Sequence, residues 1–238
     1  QLMRLAGMNW TQVEDYLRLD DRAVLPIGST EQHAHLSLAT DAILAERVAV
    51  EAAEPLGVPV LPAIPFGHSP YFLDYPGTIS LRLETLLAVV RDAVDCLLRA
   101  GFRRILIVNG HGGNAPVGAL AQEMMAERTH LCLRFHNWWI APKTMAHARA
   151  IDPSGSHANW MENFPWTRLP GIAAGDGVKE AIDREALRSL SPSGVRALLG
   201  DGSYGGPYQL PDEQMLALWA TGVAETRVAL QGPWPNVA

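Results

Sequence analysis

Between Arg82 and Ala100 the residues Leu83, Leu86, Leu87, Val90, Val94, Leu97 and Leu98 recur every three to four positions. That spacing lays them along one stripe of a helix, and Gly101 supplies the stop. Trp10 to Leu19, opened by Asn9, and Asp41 to Glu54, with Ile43, Leu44, Val48 and Val50 on or near one face, share the same period. Other stretches read as strands. Ala23–Gly28 is a short apolar run ended by glycine, Arg104–Val108 is a continuous run of the buried type, and Leu131–Phe135 looks alike. Val58–Ile64 is also apolar, but its two prolines predict an edge position or an irregular strand. Asn114 is placed to cap a further helix running to about Glu127, with Pro116 tolerated in its first turn. From Pro142 onward proline and glycine are denser and the period fades, apart from helices expected near 178–199 and 211–229. Strands alternating with helices of ten or more residues imply parallel β-α-β units and a layered α/β fold.

The chain has 238 residues, which fits one sizeable domain over 1–238 rather than two. Hydrophobic residues make up 48% and charged residues 18%, the balance of a compact soluble globule. Net charge is −6 with Lys and Arg scattered, so no nucleic-acid partner is expected. No apolar run approaches the roughly 20 residues of a membrane span, and no signal-peptide pattern opens the sequence. Because it opens on Gln1 rather than Met, a short N-terminal piece is expected to precede it. Cys96 and Cys132 lie in apolar segments and are expected to be buried free thiols, which sets a cytoplasmic location as the expectation. Trp138, Trp139, Trp160, Trp166 and Trp219 crowd the C-terminal half, where they predict pocket walls or a subunit interface.

Three clusters carry chemistry. The first, Glu31 to Asp41, directly follows a predicted strand, the place where open α/β sheets bind ligands. Alternate side chains of an extended backbone point the same way, so Glu31 and His33 can converge, and Asp41 at the next helix start can turn back toward them. Carboxylate plus imidazole suits Zn, Mn or Fe rather than Ca or soft Cu(I). Each also has an ordinary reading, with Glu31 capping a turn and Asp41 capping a helix. The second cluster, Asn109-Gly110-His111-Gly112-Gly113-Asn114, again follows a strand. Glycines around His111 let backbone pass close to a ligand or metal, and a phosphate loop is excluded for want of a lysine and of the right spacing. The third holds His157 and Glu162, five apart, which would diverge somewhat on a helix and by themselves read as surface residues.

Together these segments resemble the creatininase family (creatinine amidohydrolases and their relatives). Gly28-Ser29-Thr30-Glu31-Gln32-His33 through Thr40-Asp41 follows the family's Gly-Ser-x-Glu-Gln-His pattern and its later Thr-Asp. Asn-Gly-His-Gly-Gly-Asn recurs unchanged as 109–114, Pro76-Gly77-Thr78 matches a signature between them, and His157-Ala158 through Glu162 is similar to the family's His-Ala-Gly-x-x-Glu. The resemblance runs from about residue 23 to 165, in order. It implies a three-layer α/β/α sandwich with a mostly parallel central sheet, a hexamer, and two divalent metal ions, zinc or manganese, with iron admitted by the same ligands. Glu31, Asp41 and His111 would hold one ion, and His33, Asp41 and Glu162 the other. Five such ligands serve two ions only if one carboxylate, Asp41, is shared. Two-metal sites place their ions about 3.5–4 Å apart and activate a bridging water as hydroxide. His157 matches the family's catalytic histidine and would move a proton to the leaving nitrogen, with Glu162 beside it.

Four departures stand out. Ala34 replaces the family's Gly-Pro, so His35 sits one place early and is read as structural rather than as a ligand. Gly113 stands where creatininase itself has a Glu, which leaves the second ion to Glu162. Tyr71-Phe72 replace a frequent Glu-His, and Asn159 replaces the Gly of His-Ala-Gly. The expected activity is hydrolysis of a small cyclic amide. A formamide deformylase, a peptide-trimming relative and a non-catalytic metal-binding homologue are the alternatives.

Overall fold

The computed structural model describes residues 4–235, so residues 1–3, Gln1 among them, and 236–238 lie outside the described residues. Asn9 caps α1 (Trp10–Leu17): its Oδ1 accepts from the Gln12 N–H at 3.0 Å, while the Gln12 side chain accepts from the Asn9 N–H at 2.9 Å. There follow β1 (Arg22–Ile27), α2 (Thr40–Ala53), α3 (Leu83–Ala100), β2 (Arg104–Asn109), α4 (Pro116–Glu127) and β3 (Cys132–Asn137). After these come α5 (Pro142–Ile151), β4 (Val178–Lys179), α6 (Arg184–Leu187), α7 (Pro192–Leu199), β5 (Gly206–Pro207) and α8 (Asp212–Gln231).

β1, β2 and β3 pair in that order, all parallel, with Val24 opposite Leu106 and Ile107 opposite Phe135. The alternation of a pleated strand divides the core in two. Val24, Leu106 and Val108 bury with α2, α5 and α8, whereas Ala23, Leu25, Ile27, Ile105 and Ile107 bury with α3 and α4. Helices therefore cover both faces of the sheet, the α/β/α layering expected. No helix among the described residues is long and apolar enough to cross a membrane.

Several expectations need correction. Residues 58–64 form no strand of the sheet, only isolated bridges at Val60 and Ile64 beside β1. Pro59 and Pro62 have no N–H to give a ladder, so toward β1 this edge donates only from Leu61 and Ile64 and accepts at Pro59 O and Ile64 O. Asn114 does not cap α4, whose N-cap is Ala115. Its side chain instead donates to Gly28 O and Asn109 Oδ1, tying together the ends of two strands. The stretch 178–199 is not one helix but β4 with the short α6 and α7, and α5 arises where no helix was expected. Cys96 is exposed and Cys132 only half-buried, against the expectation of buried thiols.

Two glycines let the first turn of α2 rest on the strand ends. A Cβ at Gly28 would lie 2.4 Å from Ala42 Cα, and one at Gly110 would lie 2.3 Å from Asp41 O. This contact sets where Asp41 stands. Gly110→Ala should cost about 2–3 kcal/mol through forced backbone movement, read as a lowered midpoint of thermal unfolding. An unchanged midpoint would show that the contact is not needed.

Candidate metal centre

Beyond β1 the chain stays extended, pinned by the Thr30 hydroxyl on Pro65 O at 2.8 Å and by the Ile79 N–H on Thr30 O at 2.9 Å. Ala34 then adopts a left-handed backbone (φ 51°), and its N–H donates to Gln32 Oε1 at 3.1 Å. This turns the shortened loop back, so that Asp41 arrives inside the first turn of α2, two residues beyond the N-cap Ala39. Asp41 is thus no helix cap. At the end of β2 the Asn109 side chain grips the next loop, donating to His111 O at 2.7 Å and accepting from the His111 N–H at 3.1 Å. His157 and Glu162 are not on a common helix. A second left-handed residue, Ala158 (φ 54°), gives its N–H to Glu162 Oε2 at 2.6 Å, which folds both side chains toward one cavity.

The expected residues gather in two groups that share Asp41. Glu31, Asp41 and His111 form one, and His33, Asp41 and Glu162 the other, each with donor atoms within 4.8 Å of one another. Glu31, His33, Asp41 and His111 are all buried. His33 lies with Nδ1 3.1 Å from the backbone oxygen of Glu31, an acceptor only, so Nδ1 carries the hydrogen. The lone pair on Nε2 then faces Asp41 Oδ1 at 3.0 Å and Glu162 Oε2 at 3.5 Å. His111 repeats the arrangement: Nε2 donates to His68 O at 3.0 Å, and Nδ1 faces Asp41 Oδ2 at 3.0 Å and Glu31 Oε1 at 3.3 Å. Metal-bound histidines are oriented in this way, by the ring nitrogen that does not bind.

Lone pairs pointed at carboxylate oxygens repel unless something positive lies between them. Asp41 Oδ2, buried and within 3.0 Å of His111 Nδ1, accepts no hydrogen bond. Burial opposes charging His33 and His111, yet the carboxylates outweigh it and raise both pKa values well above the ordinary one. Burial likewise pushes Asp41 up, and the two histidines hold it below the usual carboxylate range. Glu162 goes the other way, raised by burial. The cluster calls for positive charge at two places, and its oxygen and imidazole donors fit transition-metal dications.

His157 stands beside both groups. Its Nδ1 is 3.7 Å from Glu31 Oε1 and 4.0 Å from Glu162 Oε2, while Nε2 is 2.9 Å from the Gln32 amide nitrogen. Burial, then the neighbouring His33, hold its pKa well below the ordinary histidine value. Phe72 stacks on the ring at 4.8 Å and Tyr204 lies 4.9 Å away. His35 stays outside the cluster, against Asn163 at 3.3 Å.

A cavity of about 250 Å³ opens above the cluster, walled by Tyr71, Phe72, Trp138, Trp139 and Tyr204, with Arg184 on its lining. Trp138 and Trp139 are thus pocket walls, Trp138 from within the same buried core that holds Trp160 and Trp219. Sequence reasoning missed Tyr204 and Arg184. The glycines around Tyr204, at 202, 205 and 206, are the same kind of signal that drew attention to His111. Gly202 shows why: with φ 102° it lets Gln32 donate to its carbonyl at 3.0 Å, where a Cβ would collide with the Gln32 side chain.

Comparison with known proteins agrees in sequence and in fold. A creatinine amidohydrolase of Pseudomonas putida is 32% identical over 115 residues, covering 45% of this chain and 44% of that protein. A mycofactocin precursor peptide peptidase of Mycolicibacterium smegmatis is 37% identical over 112 residues, 43% of this chain and 44% of that one. The matched stretches span less than half the length of these curated relatives. A solved manganese creatininase superposes with a TM-score of 0.81 at 21% identity, covering 99% of this chain and all of that one. The sequence profile described as creatinine amidohydrolase matches residues 6–229, so the chain belongs to the creatininase family.

Proposed function

We propose that the chain is a metal-dependent amidohydrolase that cleaves a small, cyclic amide. Glu31, Asp41 and His111 would hold one divalent ion, and His33, Asp41 and Glu162 a second, of zinc or manganese. The observation that carries this reading is the pair of inward-turned histidine nitrogens, each 3.0 Å from one oxygen of the same Asp41 carboxylate. Such ions, when bound, supply an activated water and polarise a carbonyl oxygen.

The rest belongs to the chain's own side chains. The aromatic walls exclude bulk water and pack a flat ring. The cavity is small against the usual range for ligand pockets, about 300–1,000 Å³, and so favours a compact amide over a peptide. His157 is held neutral, so its ring hydrogen can be given to the leaving nitrogen, while Glu162, raised by burial, takes the proton released as water adds and passes it to the emptied ring nitrogen. The Gln32 amide nitrogen, which also donates to Gly202 O, can only donate to Nε2, so the neutral ring keeps its hydrogen on Nδ1, 3.7 Å from Glu31 Oε1 and 4.0 Å from Glu162 Oε2. Glu162 supports the segment as well as the site, accepting the Ala158 N–H.

Elemental analysis of the purified protein should find about two divalent transition ions per chain. A hydrolysis screen over lactams, imides, hydantoins and formamides should then find ring-opening that is lost on chelation and restored by zinc or manganese. No bound metal and no response to added metal would sink the reading.

A further inference from the structure

The lining of the cavity is electrically lopsided. Glu31, Asp41 and Glu162 contribute carboxylates, and Arg184 is the lone arginine or lysine among the lining residues. Among the described residues Arg184 has no carboxylate within ion-pair distance, whereas Arg168, Lys179 and Arg188 nearby in the chain are paired with Asp212, Asp201 and Glu185. Its guanidinium carbon stands 5.9 Å from the Tyr204 ring centre, and that ring is 4.9 Å from the imidazole of His157. The Tyr204 ring thus neighbours both a guanidinium without a carboxylate partner and the catalytic cluster.

We propose that Arg184 binds an anionic group of the substrate, so that the site's amides carry a carboxylate or a phosphate a few bonds from the bond that is cut. This rests on the amidohydrolase reading and names its substrate class. The physical argument is one of competition. A free carboxylate entering a site that holds dications would ligate them and leave its amide out of reach. A guanidinium beside Tyr204, on the same cavity lining, offers the same anion a planar, bidentate partner and leaves the amide end facing the cluster. Tyr204 feels both the cluster and the guanidinium: burial and the charges of Glu31 and Glu162 raise its pKa, and Arg184 works against that rise. The exposure of Arg184 lets an incoming anion meet the guanidinium before it is desolvated.

The test is calorimetric binding to the purified, metal-loaded protein of ligand pairs that differ in one acid group. Hydantoin-5-acetate is set against hydantoin-5-acetamide, 5-oxoprolinate against 5-oxoprolinamide, and O-phospho-N-formylethanolamine against N-formylethanolamine. The acid member of at least one pair should bind about 10-fold or more tightly than its neutral mate. Arg184→Gln should abolish that preference, and Arg184→Glu should reverse it. The pair with the largest Arg184-dependent ratio tells carboxylate from phosphate. Equal binding within every pair, or a preference that survives Arg184→Gln, overturns the proposal whatever is hydrolysed. Because the readout is binding, an Arg184-dependent preference without turnover in the hydrolysis screen would uphold the anion site and count only against the amidohydrolase reading.

Discussion

Asp41→Asn is expected to leave the protein nearly free of metal, while Glu162→Gln should keep about one ion per chain. The difference follows from how the two carboxylates are placed. Asp41 directs one oxygen to His33 and the other to His111, each at 3.0 Å, so it belongs to both donor groups. Glu162 belongs to the second group alone, and Glu31 and His111 remain with Asp41 when it is lost. Unit charges 4 Å apart interact by about 4 kcal/mol at an effective dielectric of 20, and a pair of dications by about four times that. An anion shared between the ions offsets this repulsion, and an amide of the same shape does not. Metal analysis after extensive dialysis checks the ranking, and circular dichroism checks that both variants are folded. Two ions retained by Asp41→Asn would mean that the shared carboxylate is not what holds them.

His157→Ala should lower turnover by about 10²–10⁴-fold and leave the metal content unchanged, as expected for a group that moves a proton. The alternative outcome is concrete. Glu31, His33 and His157 also bring donor atoms within 4.8 Å of one another, so a third arrangement exists in which His157 is a ligand. Loss of an ion from His157→Ala would select that arrangement. The Gln32 contact at Nε2, 2.9 Å long, speaks for the proton-moving role because it steers Nδ1 to the cluster without adding another ring nitrogen to either Asp41 group.

Strands and site were legible to different depths for physical reasons. β1 and β2 announce themselves because a strand covered on both faces is apolar almost throughout, and the ligand segments follow directly from them, whereas β3 at the sheet edge buries only Leu133 and carries Arg134 and His136. The helix at 142–151 went unread because it buries mainly Thr144 and Ala148, small residues that give no apolar stripe. Cys96 was misplaced for the opposite reason. Its sequence neighbours are apolar, but Leu86, Val90, Val94 and Leu97 define the buried side of α3 and Cys96 falls outside it. Asn114 has the residue type of a cap, and its amide found a better use joining Gly28 and Asn109. Arg184 carries no local signal and Tyr204 only its flanking glycines, since only the closed fold brings both to the cavity.

That last point bears on how such a chain can change. The candidate ligands all lie between residues 31 and 162, anchored to strand ends and to backbone carbonyls that tolerate little movement. Arg184 and Tyr204 come from a later stretch of short elements, β4 through β5, of which Val178, Arg184 and Arg188 are exposed. On the proposed reading, the ligand set and the selection of an anionic group are written in separate passages, although Tyr71, Phe72, Trp138 and Trp139 of the earlier one also wall the cavity. Substitutions in the later passage can retune what enters while the earlier one continues to do the same chemistry, and a lineage built this way can acquire new substrates without first surrendering its catalyst.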